Sequence, residues 1–447
     1  MTAALLALAF VSASSENVFR APSEAAFRYG RWHQTAIGGG GFVQDVFLTR
    51  DPKIRYVSTD VGGCYRTDDG GATYRLLLGN MPVVPGTLGV RGMDADPRDP
   101  NVVLAATGSH WESDASGLMR STDGGKTWTV VAKARFGGNA DERWTGRVLA
   151  RSPKNPDLLL AGTMGEGLIR SVDGGKTWSP VGENGRFVRD VKWADDGKTV
   201  WASAAPYTGY LFGAPTSDLK AGFFRSDDAG ATWTKLADDS PTEILPLTGE
   251  LLGIFGSRRI RSSKDGGRTW TDADAGLVLG PGPSPGFSEY NALARGPGFV
   301  LTASTEGEFF RRDDGSATWT KLAEPRLEEI YRGEPWHNRF DGKNYRRFGK
   351  ALSSIVVFPD DPKNHWAFTD WFSIRETTDG GKTWRLRMDG IELTVIHNLL
   401  QDAADPGRVH IGMADNGYLL SLEGGARFGD DGPEVTSTMR TLQAHPT

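Results

Sequence analysis

One short motif recurs along this chain at intervals that suit the blades of a propeller. Its clearest copy, Ser121 to Trp128, reads S-T-D-G-G-K-T-W. The acidic residues at its third position are 37 to 65 residues apart, which is typical of repeats that hold four short strands. The sequence therefore predicts an all-β fold, a β-propeller of four-stranded blades with seven blades and an eighth partial blade. The other copies begin at Thr67, Ser171, Ser226, Ser263, Arg312 and Thr377, and a worn copy begins at Ser421.

The composition agrees with a chain that turns often, and it excludes several classes of protein. Among 447 residues there are 58 Gly, 24 Pro and 14 Trp. The net charge is −5 without a basic stripe, and no apolar run approaches the roughly 18 residues of a membrane helix, so neither a nucleic acid nor a membrane is expected as a partner. One cysteine and the scattered histidines predict no metal site, and no cofactor is expected.

The chemistry of the motif is local. Its Asp can accept backbone N–H bonds across a tight turn, its Gly residues supply positive φ angles, and its Trp can pack between neighbouring sheets. Because the copies are alike and catalysis needs asymmetry, we interpret these carboxylates as turn fasteners without a catalytic role.

Strand patterns can be placed around each copy of the motif. The first blade is predicted at Phe42–Leu48, Arg55–Thr59, Cys64–Thr67 and Thr73–Leu78. The motif then lies at the turn between the third and fourth strands, so the other connections emerge together on the opposite face. Long insertions fall in those connections, which makes that face the expected place for a site: Ser109–Ser116, Phe136–Thr145, Pro206–Lys220, Gly276–Ser288 and Glu324–Gly349.

The repeat is broken where the second strand of a blade ends beside the axis. Asp60, Asp370 and Asp415 stand at positions where other blades carry residues such as Met164. A carboxylate at such a crowded place is either a hydrogen-bonded structural plug or a group held for acid–base chemistry, and the repeat alone favours neither.

Aromatic residues in or beside the insertions are candidate platforms for sugar rings. Two acidic residues that face each other across a cleft lined with aromatic residues are typical of a glycoside hydrolase. About half of these aromatics would serve ordinary packing between blades instead. The candidate substrate-binding residues are Trp111, Trp144, Tyr207, Tyr210, Trp336 and Trp371.

Several segments resemble the xyloglucanases of glycoside hydrolase family seventy-four. They are Phe27–Trp32, Gly38–Phe42, the T-D-V-G-G-C-Y-R run Thr59–Arg66, the G-I-E-L-T-V-I run Gly390–Ile396, and Ala414–Gly417. The resemblance implies that Asp60 is the general base and Asp415 the general acid of an inverting hydrolysis of β-1,4-glucan. Asp370 is a reserve candidate, because its repeat position equals that of Asp60.

The family carries a second complete propeller, which implies boundaries for this chain. Residues 1–15 have the apolar stretch of a candidate secretory signal, without a preceding basic residue, so a secreted or periplasmic location is expected. Residues 27–390 would form a seven-bladed propeller. Residues 391–447 would form a further blade, either the start of a second propeller or an eighth blade of the same ring.

Two functions therefore remain open. One is a secreted polysaccharide hydrolase of the xyloglucanase type. The other is a non-catalytic propeller that binds protein or glycan, as sortilin-like and photosystem-assembly-type proteins with this motif do. The sequence predicts a polysaccharide partner for the first and does not predict an oligomeric state.

Overall fold

A computed structural model describes most of the chain from residue 42 to residue 425. The described residues are 42–77, 79–81, 85–108, 116–139, 143, 145–182, 186–205, 210–211, 214–215, 220–256, 258–277, 290–304, 308–323, 326–327, 352–370, 373–391, 393, 395–413 and 417–425.

The described part is built of consecutive antiparallel sheets, each made from one stretch of sequence. The first sheet contains β1 Val43–Leu48, β2 Arg55–Thr59, β3 Cys64–Thr67 and β4 Arg75–Leu76. One helical turn, α1 Pro85–Leu88, leads into the second sheet, which contains β5 Val90–Asp96, β6 Asp99–Thr107, β7 Gly117–Ser121 and β8 Thr129–Ala132.

One short strand within the third repeat pairs with the fourth sheet. The third contains β9 Leu149–Arg151, β10 Leu159–Gly162, β12 Leu168–Ser171 and β13 Ser179–Val181, while β11 Met164–Gly165 pairs with the fourth sheet. The fourth contains β14 Arg186–Trp193, β15 Val200–Ala205, β18 Gly222–Ser226 and β19 Thr234–Ala237, and its insertion carries the hairpin β16 Tyr210–Leu211 and β17 Ala214–Pro215.

The fifth to seventh sheets repeat the same order of strands. The fifth contains β20 Glu243–Leu247, β21 Glu250–Phe255, β22 Arg259–Ser263 and β23 Thr271–Asp272, and the sixth contains β24 Tyr290–Gly296, β25 Phe299–Ser304, β26 Phe309–Asp313 and β27 Thr320–Lys321. The short strand β28 Arg326–Leu327 pairs in parallel with the last strand of the seventh sheet, whose own strands are β29 Ser354–Val357, β30 Trp366–Thr369, β31 Ile374–Thr377 and β32 Thr383–Leu386.

The predicted all-β propeller fold is confirmed, and the strand positions are close to those read from the repeat. The second and third strands of the first sheet have the predicted bounds, whereas the fourth strand, predicted at Thr73–Leu78, is only Arg75–Leu76. Both residues of this outer strand are exposed. Within the described part of the chain, no helix is long and apolar enough to cross a membrane.

Apolar clusters join each sheet to the next. Trp128 packs between the first and second sheets, and its indole Nε1 donates to Leu77 O at 3.0 Å. Trp319 does the same between the fifth and sixth sheets, donating to Ala273 O at 2.8 Å. A further cluster, with Val57 and Tyr65 on one side and Val356 and Ile374 on the other, joins the first sheet to the seventh. Burial of these aromatic and branched side chains is therefore the main force between sheets.

The contact between the seventh and first sheets is also polar. Arg55 Nη1 lies 2.9 Å from Glu376 Oε2, and both side chains are buried. His365 Nε2 lies 2.7 Å from the other carboxylate oxygen of Glu376. Burial raises the pKa of Glu376, but hydrogen bonds from His365 and Arg55 outweigh it, so its pKa lies below the usual range. Glu376 is therefore an anion shared by the two sheets.

A three-stranded sheet follows the seventh sheet: β33 Ile396–Gln401, β34 Val409–Met413 and β35 Gly417–Ser421. Its apolar cluster draws on its own residues alone. On its first strand, Ile396 is 42% and Leu399 64% exposed. The segment before it packs on the ring, since Ile391 and Leu393 belong to the cluster between the seventh and first sheets.

The motif turns act as predicted in most copies. In the second copy, Thr127 donates its backbone N–H to Asp123 Oδ1 at 2.9 Å and its hydroxyl to Oδ2 at 2.7 Å, while Gly125 N donates to Ser121 Oγ at 2.8 Å. Partial burial raises the pKa of Asp123, but these hydrogen bonds lower it to about 2. The carboxylate is fully engaged in its own turn, which supports a structural role.

The sixth copy is different, and the expectation of uniform fasteners is wrong there. Arg312 stands where other copies have a hydroxyl residue, and its guanidinium reaches Glu250 of the fifth sheet, Nη2 to Oε2 at 2.7 Å. Thr318 N then donates to Ser316 Oγ at 3.1 Å instead of to an Asp carboxylate. Without a hydroxyl at the first position, the turn has no group that can bridge the Asp and the Gly backbone.

We predict that Glu376→Gln destabilises the protein far more than removal of an exposed ion pair. The substitution leaves Arg55 and His365 buried beside an uncharged group, a situation that typically costs about 3–5 kcal/mol. The matched control is Asp227→Asn, whose partner Arg225 lies 2.6 Å away but whose side chain is 63% exposed, and about 0–1 kcal/mol is expected for it. Urea unfolding measures both; equal losses for the two variants would contradict the prediction.

Candidate active site

Asp60 lies on a turn that the chain builds more than once. In the first sheet, Thr59 Oγ1 donates to Gly63 O at 2.8 Å. In the third sheet, Thr163 Oγ1 donates to Gly167 O at 2.9 Å in the same way. The residue after the threonine is Asp60 in the first repeat and the fully buried Met164 in the third. Asp60 therefore places a carboxylate where the third repeat has an apolar side chain.

The two carboxylate oxygens of Asp60 have different surroundings. Arg143 Nε donates to Oδ2 at 3.1 Å, and the Arg143 guanidinium lies 5.4 Å from the centre of the Phe42 ring. Oδ1 is buried, and within the part of the chain that the structure describes it accepts no well-formed hydrogen bond. The side chain is 8% exposed. Arg143 thus holds one oxygen in place, while no described residue donates a well-formed hydrogen bond to the other.

Burial raises the pKa of Asp60 from 3.8 to about 6, although the charge and hydrogen bond of Arg143 act in the opposite direction. At neutral pH the group is therefore ionised, yet its pKa is close enough to 7 for it to accept a proton readily. A buried acid with a raised pKa and a charged partner is typical of functional sites.

Close backbone packing brings the segment that carries Arg143 to Asp60. A Cβ on Gly89 would lie 2.5 Å from Gly108 O and 3.0 Å from Asp60 O, so only glycine fits there. Gly108 N donates to Gly89 O at 2.8 Å, and Gly138 N donates to Gly108 O at 2.6 Å. These contacts join the starts and ends of strands in the first two sheets to the connection that contains Arg143.

Backbone hydrogen bonds at the start of the first strand connect Asp370 to Asp60. Asp60 N donates to Phe42 O at 3.2 Å, and the next residue, Val43, donates its N–H to Asp370 O at 3.2 Å. The Asp370 side chain is 4% exposed, and its Oδ1 accepts the Ser373 hydroxyl at 2.8 Å. The Oδ1 atom of Asp370 is therefore hydrogen-bonded within its own turn.

The segment Gly390–Ile396, one of the runs singled out in the sequence, lies against the Asp60 turn. A Cβ on Gly62 would lie 2.3 Å from Leu393 Cδ2. A Cβ on Gly390 would lie 2.0 Å from Tyr74 O, and Gly390 has a φ of 85°. Glycine is required at position 390, where a Cβ would meet backbone and φ is positive, while the end of the Leu393 side chain lies directly against Gly62.

Several predicted site residues lie outside the described residues. They are Asp415 and five of the six aromatic candidates, Trp111, Trp144, Tyr207, Trp336 and Trp371. Tyr210 begins strand β16, and its side chain also lies outside the description.

A second group of charges lines the axis of the ring. A cavity of about 540 Å³ is bordered by residues of the first strands of all seven sheets. Arg147 Nη2 lies 2.8 Å from Asp45 Oδ1, and Lys192 Nζ lies 3.1 Å from Asp190 Oδ1. Burial raises the pKa of neighbouring Glu243 against the opposing charge of Lys192. Among the described residues, no group of three acidic, His or Cys side chains is placed to hold a metal ion.

Reasoning from the sequence missed Arg143. It lies in the insertion Phe136–Thr145, which was expected to carry function, but nothing in the local pattern distinguishes it from the many other arginines. Its role depends on a contact across 83 positions of sequence, which only the fold reveals.

Comparisons with known proteins agree with this architecture. The model of the BNR/Asp-box repeat matches residues 119–130, which include the second copy of the motif. A xyloglucanase of Paenibacillus sp is 30% identical over 369 residues, covering 72% of this chain and 35% of the relative. A xyloglucanase of Hypocrea jecorina strain QM6a is 26% identical, covering 90% of this chain and 55% of the relative. The chain thus spans about a third to a half of the length of these relatives.

Solved structures show the same fold. The crystal structure of a GH74 xyloglucanase from Xanthomonas campestris has a TM-score of 0.70 at 19% identity, covering 89% of this chain and 68% of that one. A GH74 enzyme from Niastella koreensis has a TM-score of 0.66, also at 19% identity. At this level of identity the likeness concerns the fold.

The raised pKa of Asp60 predicts a pH-dependent gain in stability for Asp60→Asn. A folded pKa of about 6 against 3.8 means that ionisation disfavours the folded state, and this penalty develops between pH 4 and pH 6. The stability of Asp60→Asn relative to the unmutated chain should therefore rise by about 2.5 kcal/mol from pH 4 to pH 7.

Urea unfolding across this pH range measures the effect. Asp123→Asn is the matched control, because the pKa of Asp123 is lowered to about 2 and the residue stays ionised throughout. Its stability relative to the unmutated chain should be constant from pH 4 to pH 7. A constant difference for Asp60→Asn as well would show that the carboxyl has no raised pKa.

Proposed function

Because this chain is a xyloglucanase-like β-propeller protein, similar in sequence and fold to enzymes of glycoside hydrolase family 74, we propose that it hydrolyses the β-1,4-glucan backbone of xyloglucan. The observation that carries the proposal is Asp60, a buried carboxylate with one oxygen held by Arg143 and the other without a hydrogen-bond partner among the described residues. A structural plug would engage both oxygens, as the motif carboxylates do.

The proposed reaction is an inverting displacement. Asp60 Oδ1 takes a proton from a water molecule as the water oxygen bonds to the anomeric carbon. The bond from that carbon to the leaving sugar oxygen breaks at the same time, and a second carboxyl group donates a proton to the leaving oxygen. We assign this second role to Asp415, from its place in the resembling segment, and keep Asp370 in reserve because its backbone lies beside that of Asp60. The six aromatic candidates would line the glucan.

We further propose that residues 27–390 form a seven-bladed ring and that residues 391–447 contribute to a further structure outside it. The shared cluster and ion pair between the seventh and first sheets support this division, as does the separate cluster of β33–β35. The exposed Ile396 and Leu399 fit a sheet that adjoins further protein. Export of the protein is part of the same proposal, since its polysaccharide substrate is extracellular.

The test is release of reducing sugar from tamarind-type xyloglucan. Asp60→Asn should lower kcat by about 10²–10⁴-fold, because a general base typically contributes that much. Asp415→Asn should cause a loss of similar size, and Asp370→Asn a smaller one. Asp173→Asn, in a motif turn, is the matched control and should keep the activity within about twofold.

The anomer formed first, observed by proton NMR, distinguishes the mechanisms. Inversion predicts the α-anomer from a β-linked backbone. Activity unchanged by Asp60→Asn would defeat the proposed role of this residue. Binding of xyloglucan without any hydrolysis by the unmutated chain would instead favour the non-catalytic glycan-binding alternative.

A further inference from the structure

We propose that Arg143 is a positioning residue for Asp60, which fixes the carboxylate so that Oδ2 is engaged and Oδ1 alone receives the proton of the attacking water. This inference rests on the proposed function of Asp60. It extends that function to Arg143, which lies in the connection between the second and third sheets. It is carried by the contact of Arg143 Nε with Oδ2 at 3.1 Å and by the buried Oδ1, which no residue within the described ranges engages in a well-formed hydrogen bond.

The segment that carries Arg143 is anchored at both ends by buried side chains. Before it, Gln44 Nε2 donates to Gly138 O at 2.5 Å, and Gln44 is 3% exposed. After it, the guanidinium of buried Arg91 donates to Thr145 O and to Gly146 O. These anchors fix the Arg143 segment relative to the first two sheets. Such support is expected of a group that must hold a carboxylate within a narrow range of angles.

The Arg143 side chain is itself largely enclosed. It is 17% exposed, and its guanidinium lies beside the Phe42 ring. An arginine contact in such a place is stronger than an exposed ion pair, because little water screens the charge. The nearby pair of Arg135 and Glu166 provides a contrast, with side chains that are 47% and 38% exposed.

The arrangement has a chemical consequence. Asp60 stands in an apolar slot that disfavours its charge, and Arg143 is the charged group that opposes this effect at the carboxylate itself. A base must be ionised to accept a proton, so loss of Arg143 reduces the fraction of active protein at low pH. Loss of the directed contact also allows the carboxylate to rotate away from the water, which lowers the rate at every pH.

The experiment compares the pH dependence of kcat/KM on xyloglucan for the unmutated chain, Arg143→Ala and Arg143→Lys. Arg143→Ala should move the acidic limb upward by about one pH unit, the usual effect of removing a neighbouring charge. This shift alone lowers kcat/KM about tenfold at pH 5.5 and leaves the value at pH 8 within about twofold. Any loss of rate that does not depend on pH adds to both values. Arg143→Lys should restore the limb but not the full plateau, since an ammonium is a point charge without a fixed direction.

The matched control is Arg135→Ala, which should leave both limb and plateau unchanged. An unmoved acidic limb in Arg143→Ala would overturn the inference, even if the plateau fell, because a merely structural loss lowers all values equally. Thermal unfolding confirms that each variant is folded. If Arg143→Ala fails to fold, Arg143→Lys still provides a test. A kcat/KM plateau for Arg143→Lys equal to that of the unmutated chain would show that the direction of the contact does not matter.

A second readout separates this inference from the proposed hydrolysis. The pH at which the stability gained by Asp60→Asn over its parent levels off reports the titration of Asp60 in the folded protein, without any activity assay. In the Arg143→Ala background this transition should lie about one pH unit higher. If the stability transition shifts but the chain has no activity, the proposed hydrolysis is wrong and the coupling of Arg143 to Asp60 stands. If the chain is active but neither the stability transition nor the acidic limb shifts, only the coupling is wrong.

Discussion

The contact between the seventh and first sheets is the interaction on which the rest of the structure depends. Every other pair of neighbouring sheets is held by a covalent connection as well as by packing, whereas these two are far apart in sequence. Their contact relies on apolar burial, on the buried Arg55–Glu376 pair and on backbone hydrogen bonds such as Val43 N to Asp370 O. Among the described strands none is shared by these two sheets, so packing, the ion pair and a few backbone hydrogen bonds hold them together.

The same contact builds the candidate site. The backbone of the first strand bonds to Asp60 at Phe42 and to Asp370 at Val43, so the two acidic turns adjoin only when the sheets meet. The Gly390–Ile396 segment then crosses to the Asp60 turn, where the end of the Leu393 side chain lies against Gly62. Closure of the fold and assembly of the site are therefore one event, and substitutions that weaken the contact are expected to affect both.

Much of this architecture could be predicted from the repeat. The turn chemistry of an Asp, a hydroxyl residue and glycines is local, so Asp123 and its neighbours could be placed without knowledge of the fold. The strands around each turn followed from alternation and spacing. The sixth copy was mispredicted because Arg312 finds its partner, Glu250, in another sheet, and a local pattern contains no information on such a contact.

The sequence by itself determined the class of fold, the turns and the unusual position of Asp60, because each of these depends on residues that are near in sequence. Only the tertiary structure decided the state of that carboxylate. Its raised pKa comes from burial in a slot that the repeat fills with Met164 elsewhere, and its orientation comes from Arg143, 83 positions away. Desolvation and ion pairing depend on distance in space, and the closed ring sets those distances.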